Sequence, residues 1–293
     1  PRHPDTLTTM GNLAGTLVQL GKHAEAEAMF REVVAARRKV PGPRHPDTLQ
    51  AMGNLADTLR VLGKHAEAEA MQREVLAARR EVLGPRHPDT LSTMANLAST
   101  LTVLGKHADA AAMQQETLAA MRKVLGPRHL ETLTTMNSLA STLRELGKHA
   151  DAEAMGREVL AAEREVLGPR DLHTLSAMHN LASTLQELGK HAEAEAMQRE
   201  VLAAFREVQG PCHPHTLTAM GNLANTLTKL GKHADAAAMQ QEVLVAKREV
   251  LGPRHRSTLA TMGNLSSTLR ELGKHAEAEA MEREVLAARR EVL

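Results

Sequence analysis

A 42-residue unit recurs along the whole chain, and this period constrains the fold more than any other feature. The octapeptide Gly-Pro-Arg-His-Pro-Asp-Thr-Leu at 42–49 returns unchanged at 84–91, and weaker copies follow at the same spacing. We therefore expect one repeat-built domain over residues 1–293, with no room for a separate catalytic domain. The seven units are 1–42, 43–84, 85–126, 127–168, 169–210, 211–252 and 253–293.

Each unit has the start and stop signals of two helices joined by a tight turn. In the first unit, Pro4 is a favourable helix start, and apolar residues recur at three- and four-residue spacing as far as Leu20. Gly21 ends this helix, and a second helix is predicted over roughly 23–40. The sequence thus predicts an all-α fold of seven helical hairpins, which stack because one hairpin is too small to bury its apolar stripe.

The second helix carries a recurrent pair of opposite charges. Glu27 and Arg31 are four residues apart, and four other units repeat the pair, which predicts i,i+4 ion pairs. Units three and six lose both partners together, as Ala111–Gln115 and Ala237–Gln241. This joint loss supports a helix, although shared ancestry of the two units explains it equally well.

Composition limits the classes of partner and the compartment. Basic residues number 36 and acidic residues 35, and only two Phe represent the aromatics, which argues against a nucleic-acid or membrane partner. No apolar run is long enough to span a bilayer. The single cysteine, Cys212, indicates a reducing, cytoplasmic environment. A first residue other than Met, Pro1, agrees with a fragment of a longer chain.

No residue constellation in the sequence indicates catalysis or a bound metal. Most of the 16 histidines occupy two recurrent places, the linker and the turn after the first helix. Equivalent places in stacked helical units lie about 10 Å apart, whereas zinc ligands lie about 2 Å from the metal. Cys212 has no partnered base. We therefore expect a non-enzymatic protein without metal or cofactor, in which the turn histidine is a packing and hydrogen-bonding group.

The recurrent pattern Leu-x-x-Met-x-Asn-Leu-Ala-x-x-Leu-x-x-Leu-Gly-Lys-His-x-x-Ala-x-x-Met resembles the tetratricopeptide repeat. The His-Pro-Asp-Thr-Leu linker is similar to the 42-residue branch found in kinesin light chains, nephrocystin-3-like proteins and sensor regions of some signalling NTPases. The resemblance covers all seven units and implies a right-handed α-solenoid whose first helices line a concave groove. An armadillo-like array has a similar period but needs three helices per unit, and pentatricopeptide RNA readers have a shorter period.

The side of the first helix opposite the apolar stripe is the predicted binding surface. One asparagine place recurs there in six of the seven units: Asn12, Asn54, Asn96, Asn180, Asn222 and Asn264. A carboxamide both donates and accepts hydrogen bonds, so it suits an extended peptide backbone, and the resemblance implies that role here. Small neighbours such as Gly53 would let a ligand chain approach closely. Alternatively, each asparagine ties a first helix to its neighbour's backbone, or the face is merely solvated.

Three arginines on the same side, Arg60, Arg144 and Arg270, are predicted to pair with acidic ligand side chains. We expect a protein-interaction scaffold that binds a peptide or partner segment in the groove. One alternative is a structural spacer or rod that associates end to end through uncapped termini. Another is the sensor arm of a larger signalling ATPase or motor adaptor.

Overall fold

The computed structural model describes the backbone of residues 3–292 and the side chains of residues 3–290. Within that range it has fourteen helices and no strand. The helices are α1 (Pro4–Gln19), α2 (His23–Lys39), α3 (Pro46–Val61), α4 (His65–Val82), α5 (Pro88–Val103), α6 (His107–Val124), α7 (Leu130–Glu145), α8 (His149–Val166), α9 (Leu172–Glu187), α10 (His191–Gln209), α11 (Pro214–Lys229), α12 (His233–Val250), α13 (Arg256–Glu271) and α14 (His275–Val292).

The helices form two compact units that divide between Lys148 and His149. In the first unit, each helix from α1 to α7 packs against the next, and the first helices α1, α3 and α5 also contact one another. In the second unit, α8 to α14 pack in the same sequential way. Each repeat contributes two helices, which confirms the predicted hairpins and excludes the three-helix alternative.

The turn between the two helices of a hairpin is the predicted left-handed glycine. Gly63, two residues after the end of α3, has φ +77°, and the equivalent turn glycines adopt nearly the same angle. Lys64 N–H then donates to the carbonyl of Leu59 at 2.9 Å, which closes the helix end. Glycine is suited to this place because a side chain is strained at such an angle.

The linker histidine caps the first helix, a role that the sequence analysis did not assign. Nδ1 of His87 accepts a hydrogen bond from the backbone N–H of Asp89 at 3.2 Å, and five other linker histidines do the same. In the fifth repeat Asp171 replaces the histidine, and its Oδ1 accepts from the N–H of His173 at 2.8 Å. Thr90, which is fully buried, donates to the carbonyl of Gly84 at 2.9 Å and fixes the linker.

Leucine, methionine and alanine form the core of both units, as the apolar stripe predicts. In α3 the largest members, Leu49, Met52, Leu55 and Leu59, are at most 2% exposed. The first repeat differs, because Leu13, the equivalent of Leu55, is 49% exposed. The residue at this place packs over the preceding second helix, as Leu181 does over Gly156. No described helix precedes α1, so Leu13 lacks that cover.

The predicted i,i+4 ion pairs are present and extend between repeats. Nη2 of Arg31 lies 2.8 Å from Oε1 of Glu27, and Nζ of Lys64, in the next repeat, lies 2.7 Å from the same oxygen. The hydrogen bond from Lys64 holds the pKa of the Glu27 carboxyl below its usual value. A second set of pairs joins consecutive second helices, such as Arg38 to Glu74 at 2.7 Å.

Candidate functional site

The first-helix face is open where the sequence predicts space for a ligand. We define this face by the places that Thr8, Gly11, Asn12, Gly15 and Gln19 occupy in the first repeat. A methyl group added to the glycines at the second of these places would meet no atom within 4 Å. These glycines are Gly11, Gly53, Gly221 and Gly263. Since no side chain among the described residues fills the space beside them, a ligand backbone can approach the helix there.

The asparagines lie on this face with partial exposure. Asn12 and Asn264 are exposed, whereas the other four are half-buried. Nδ2 of Asn96 lies 3.2 and 3.3 Å from the two carboxylate oxygens of Asp57 in the preceding repeat. Nδ2 of Asn222 lies 3.2 Å from Nε2 of His179, and Oδ1 of Asn54 accepts from Gln50 at 3.0 Å. These bonds join side chains, so the carboxamides retain further capacity for a ligand.

The three predicted arginines lie in different surroundings. Arg144 donates to Glu145 at 2.8 Å, and this bond holds the pKa of the Glu145 carboxyl below its usual value. Nε of Arg270 lies 3.7 Å from a carboxylate oxygen of Glu282. Arg60 is half-buried and near enough to Asp57 to favour its ionised form. All three therefore already have an acidic neighbour within the chain.

A polar pocket of about 190 Å³ lies on the first-helix face between α3, α4 and α5, with Asn54 and Asn96 in its wall. Its floor is Arg79, which belongs to the second helix and is 8% exposed. Nη1 of Arg79 donates to the carbonyl of Asp89 at 2.9 Å and to Oγ1 of Thr93 at 2.8 Å. The guanidinium therefore reaches from α4 to the first helix of the next repeat, α5, which carries Asn96.

The same pocket contains an acid and an amide that sequence reasoning did not single out together. Burial raises the pKa of the Asp57 carboxyl, and the charges of Arg60 and Arg79 oppose that rise. Burial lowers the pKa of Arg79, although Asp57 contributes in the opposite direction. Gln72 is 2% exposed, and neither polar atom of its amide has a hydrogen-bond partner in the described residues. The pocket thus balances its own charges but leaves one amide unsatisfied.

An equivalent pocket of about 200 Å³ lies between α11, α12 and α13 in the second unit. Lys247 takes the place of Arg79, and its Nζ donates to Oγ1 of Thr261 at 3.0 Å. The wall again includes asparagines of the first-helix face, Asn222 and Asn264. Gln240 corresponds to Gln72, is 4% exposed and has an amide oxygen without a partner in the described residues.

A third pocket, between α9, α10 and α11, is mainly apolar. Phe205 takes the place of Arg79, and its ring centroid lies 5.7 Å from that of His215. Leu172 and His179 complete the wall. The three pockets share a position in the repeat but differ in chemistry, because the residue beneath them changes.

We call this position of the second helix the floor position. The seven repeats have five types of side chain there: Arg37, Arg79, Met121, Glu163, Phe205, Lys247 and Arg289. The sequence contains a signal for it, since a place that changes from Arg to Met, Glu, Phe and Lys stands out in a nearly uniform helix. Sequence reasoning searched only the first helix for variation and therefore missed it.

Histidines and carboxylates do not assemble into a metal site in the part of the chain that the structure describes: no three His, Cys, Asp or Glu side chains are grouped suitably. The turn histidines pack as interpreted. Nδ1 of His65 is buried without a hydrogen bond to any described residue, and so is Nδ1 of five equivalent turn histidines. Cys212 is exposed. No helix within residues 3–292 combines the length and the apolar character needed to cross a membrane.

Comparison with known proteins supports the repeat assignment. The family model of the tetratricopeptide repeat matches the chain at six overlapping ranges: 5–81, 47–123, 89–165, 157–207, 173–247 and 215–291. A search of curated protein sequences gives no match. The nearly identical TPR-like repeats of a putative kinesin light chain from Podosopora anserina are 26% identical, with a TM-score of 0.64 over 71% of this chain and 99% of that one.

Two further solved structures share the fold at lower sequence identity. The apo form of RapI has a TM-score of 0.73 at 10% identity and covers 98% of each chain. The apo form of the quorum sensor NprR from B. thuringiensis has a TM-score of 0.66 at 13% identity, covering 97% of this chain and 87% of that chain. At these identities the likeness concerns the fold alone.

Proposed function

Because the chain belongs to the tetratricopeptide repeat family, we propose that it is a non-enzymatic scaffold that binds an extended peptide segment along its first-helix face. Repeats of this family are typically protein-interaction scaffolds, since stacked hairpins present a long continuous surface. In this mode of binding, the ligand backbone lies beside the glycines and receives hydrogen bonds from the asparagines.

One observation carries this proposal: partly exposed carboxamides stand beside helix surface that no side chain covers. Asn54 and Asn222 each adjoin a glycine, Gly53 and Gly221, whose added methyl group would meet nothing within 4 Å. Glycine inside a helix is unfavourable by about 1 kcal/mol relative to alanine. A close approach of another chain is a physical reason for tolerating that loss.

The structural alternative for the asparagines has some support. Asn96 contacts Asp57, and Asn222 contacts His179, so each also links two neighbouring first helices. The bonds from Asn96 to Asp57, at 3.2 and 3.3 Å, are at the long end of the normal range. A hydrogen bond of this length is weaker than one of ideal length, and the carboxamide oxygen of Asn96 remains suited to accept a peptide N–H.

The experiment combines Asn96→Ala with Asn180→Ala and measures peptide binding and thermal unfolding. The binding probes are peptides selected from a random library on the unaltered chain. Each lost hydrogen bond is worth about 0.5–1.5 kcal/mol, so affinity is expected to fall about tenfold or more. The melting temperature is expected to change little. Gln115→Ala, an exposed position on the second helix α6 and outside the first-helix face, is the control and should retain affinity.

Two results would contradict the proposal. If the double variant unfolds at a much lower temperature but binds the selected peptides normally, the asparagines are structural. If the unaltered chain selects no peptide from the library, the first-helix face does not bind extended segments. If peptide binding and thermal unfolding both agree with the proposal, a pull-down with the unaltered chain then identifies the natural partner.

The exposed thiol of Cys212 supports a reducing compartment, and we place the scaffold in the cytoplasm, without a nucleic-acid or membrane partner. A second candidate function is the self-associating rod. The observation in its favour is the exposure of Leu13 on α1 and of Leu20 directly after it, at 49% and 67%. Light scattering as a function of protein concentration separates the scaffold from the rod, since a monomer that binds peptides excludes the rod.

The third alternative is the sensor arm of a larger signalling protein. The full-length reading frame decides it.

A further inference from the structure

We propose that Lys247 makes the pocket between α11, α12 and α13 selective for an acidic side chain of the bound segment. This inference rests on the proposed peptide binding and adds the specificity of one pocket. It assigns that specificity to a floor residue of the second helix rather than to the arginines of the first helices. The proposal comes from comparing this pocket with its equivalent between α3, α4 and α5.

The two pockets hold a cation at the same place but differ in countercharge. In the earlier pocket, the carboxylates of Asp89 and Asp57 lie near Arg79 and compensate its positive charge. Four repeats later, the residue equivalent to Asp57 is the neutral Asn225. The residue equivalent to Asp89 is likewise neutral, Ser257. The second pocket has therefore kept the positive charge and lost both acids.

Lys247 has no carboxylate within ion-pair distance in the described residues. Its one side-chain hydrogen bond goes to the hydroxyl of Thr261, at 3.0 Å, which leaves two of its three ammonium hydrogens for other acceptors. The side chain is half-buried, and burial lowers the pKa of its ammonium group. A partly buried cation gains free energy from an anionic partner, because that partner offsets the loss of hydration.

The walls of the pocket suit a peptide that carries such an anion. Asn222, Asn225 and Asn264 provide amide N–H donors for the carboxylate and for backbone carbonyls. The buried amide oxygen of Gln240, which lines the pocket, is without a partner in the described residues and adds an unsatisfied acceptor to it. An Asp or Glu side chain fits this set of groups, since one carboxylate can satisfy both the ammonium and neighbouring amides.

The chain itself supplies the substitutions for a test. Lys247→Met introduces the residue that the third repeat has at the floor position, Met121. Asn225→Asp copies Asp57 and adds the missing countercharge while keeping Lys247. Lys274→Met is the control for net charge, because it removes an exposed turn lysine on a different helix end. Circular dichroism checks that all variants remain helical.

A random peptide library is selected in parallel on the unaltered full chain and on the three variants. The unaltered chain and Lys274→Met are expected to enrich Asp or Glu at one peptide position. Lys247→Met and Asn225→Asp are expected to lose that enrichment about tenfold. For the best peptide, exchanging its acid for the amide, Asp→Asn or Glu→Gln, should weaken binding to the unaltered chain about tenfold. The same exchange should hardly alter binding to Lys247→Met.

The outcomes separate this inference from the function on which it rests. Selection of peptides without an acidic preference, or an acidic preference that survives both pocket variants, overturns the role of Lys247 and leaves peptide binding intact. Failure to select any peptide overturns both. An equal loss of preference in Lys274→Met also overturns the inference, because general charge rather than the pocket would then explain it.

Discussion

Glu163 occupies the floor position of the fourth repeat, and its side chain is only 1% exposed. Its Oε2 has no hydrogen-bond partner among the described residues. Burial, with a further contribution from the negative charge of Asp171, raises the pKa of the carboxyl from 4.5 to about 7. A carboxyl in such a place favours the protonated form, because the ionised form loses hydration without gaining a partner.

The Glu163→Gln variant tests this burial through the pH dependence of stability. Below about pH 4.5 the carboxyl is neutral in both states, so its titration does not penalise folding. Between about 4.5 and 7 the unfolded chain releases the proton while the folded chain keeps it, and stability falls by up to about 3 kcal/mol. Glutamine lacks this loss. The urea midpoint of Glu163→Gln minus that of the unaltered protein should therefore increase from pH 5 to pH 8.

Glu187→Gln, at an exposed site, is the control for the loss of one carboxyl, and its urea midpoint should differ from that of the unaltered protein by the same amount at pH 5 and pH 8. If Glu163→Gln also shows the same difference at pH 5 and pH 8, the Glu163 carboxyl is hydrated in the folded protein. At the residue scale, the sequence contains the variation at the floor position, but the sequence analysis did not single it out. It did not reveal its burial, because the surroundings of Arg79, for example, come from three helices in two repeats.

At the scale of the element, the helix starts illustrate what local patterns can and cannot predict. Pro at the first helical position predicted where α3 and α5 begin, because this effect depends only on adjacent residues. The capping by His87 Nδ1 went unassigned, since histidine is not among the usual N-cap residues. The fifth repeat held the clue: Asp171, a favoured N-cap residue, replaces the histidine at the same place.

The cap leads to a prediction for α5. His87→Asp should raise the free energy of unfolding by some tenths of a kcal/mol to about 1 kcal/mol. The reason is that a carboxylate accepts the N–H of residue 89 more strongly and complements the helix dipole. His87→Ala should lower it by a similar amount because that N–H loses its acceptor. Urea unfolding at pH 7 measures both, and a lower stability of His87→Asp than of His87→Ala would refute the capping role.

At the scale of the whole molecule, the 42-residue period was sufficient to predict fourteen helices and the apolar stripe. Both depend on contacts that repeat from one unit to the next. The buried leucines of α3, α5, α9 and α11 occupy equivalent places for this reason. The ligand chemistry is not repeated, because Arg79, Phe205 and Lys247 differ beneath equivalent pockets. The parts of the site that break the period were therefore the parts that sequence reasoning missed.

The nearest-neighbour stacking of the repeats has a thermodynamic test. In a repeat array each hairpin contacts only its neighbours, so a local defect should weaken protection mainly nearby. Leu97 in α5 is 1% exposed, and Leu97→Ala is expected to remove about 2–5 kcal/mol of local stability through lost burial and a cavity. Hydrogen exchange measured by mass spectrometry should show faster exchange in α4 to α6 and unchanged exchange in α12 and α13.

The exposed Ser99→Ala on the same helix is the matched control and should leave exchange unaltered throughout. Faster exchange in every helix of Leu97→Ala would show that the chain opens as one cooperative body and would contradict the nearest-neighbour description. The local outcome bears on function as well. Since the pocket of Lys247 would then keep its stability when distant repeats open, its ligand preference could be measured in Leu97→Ala without correction for unfolding.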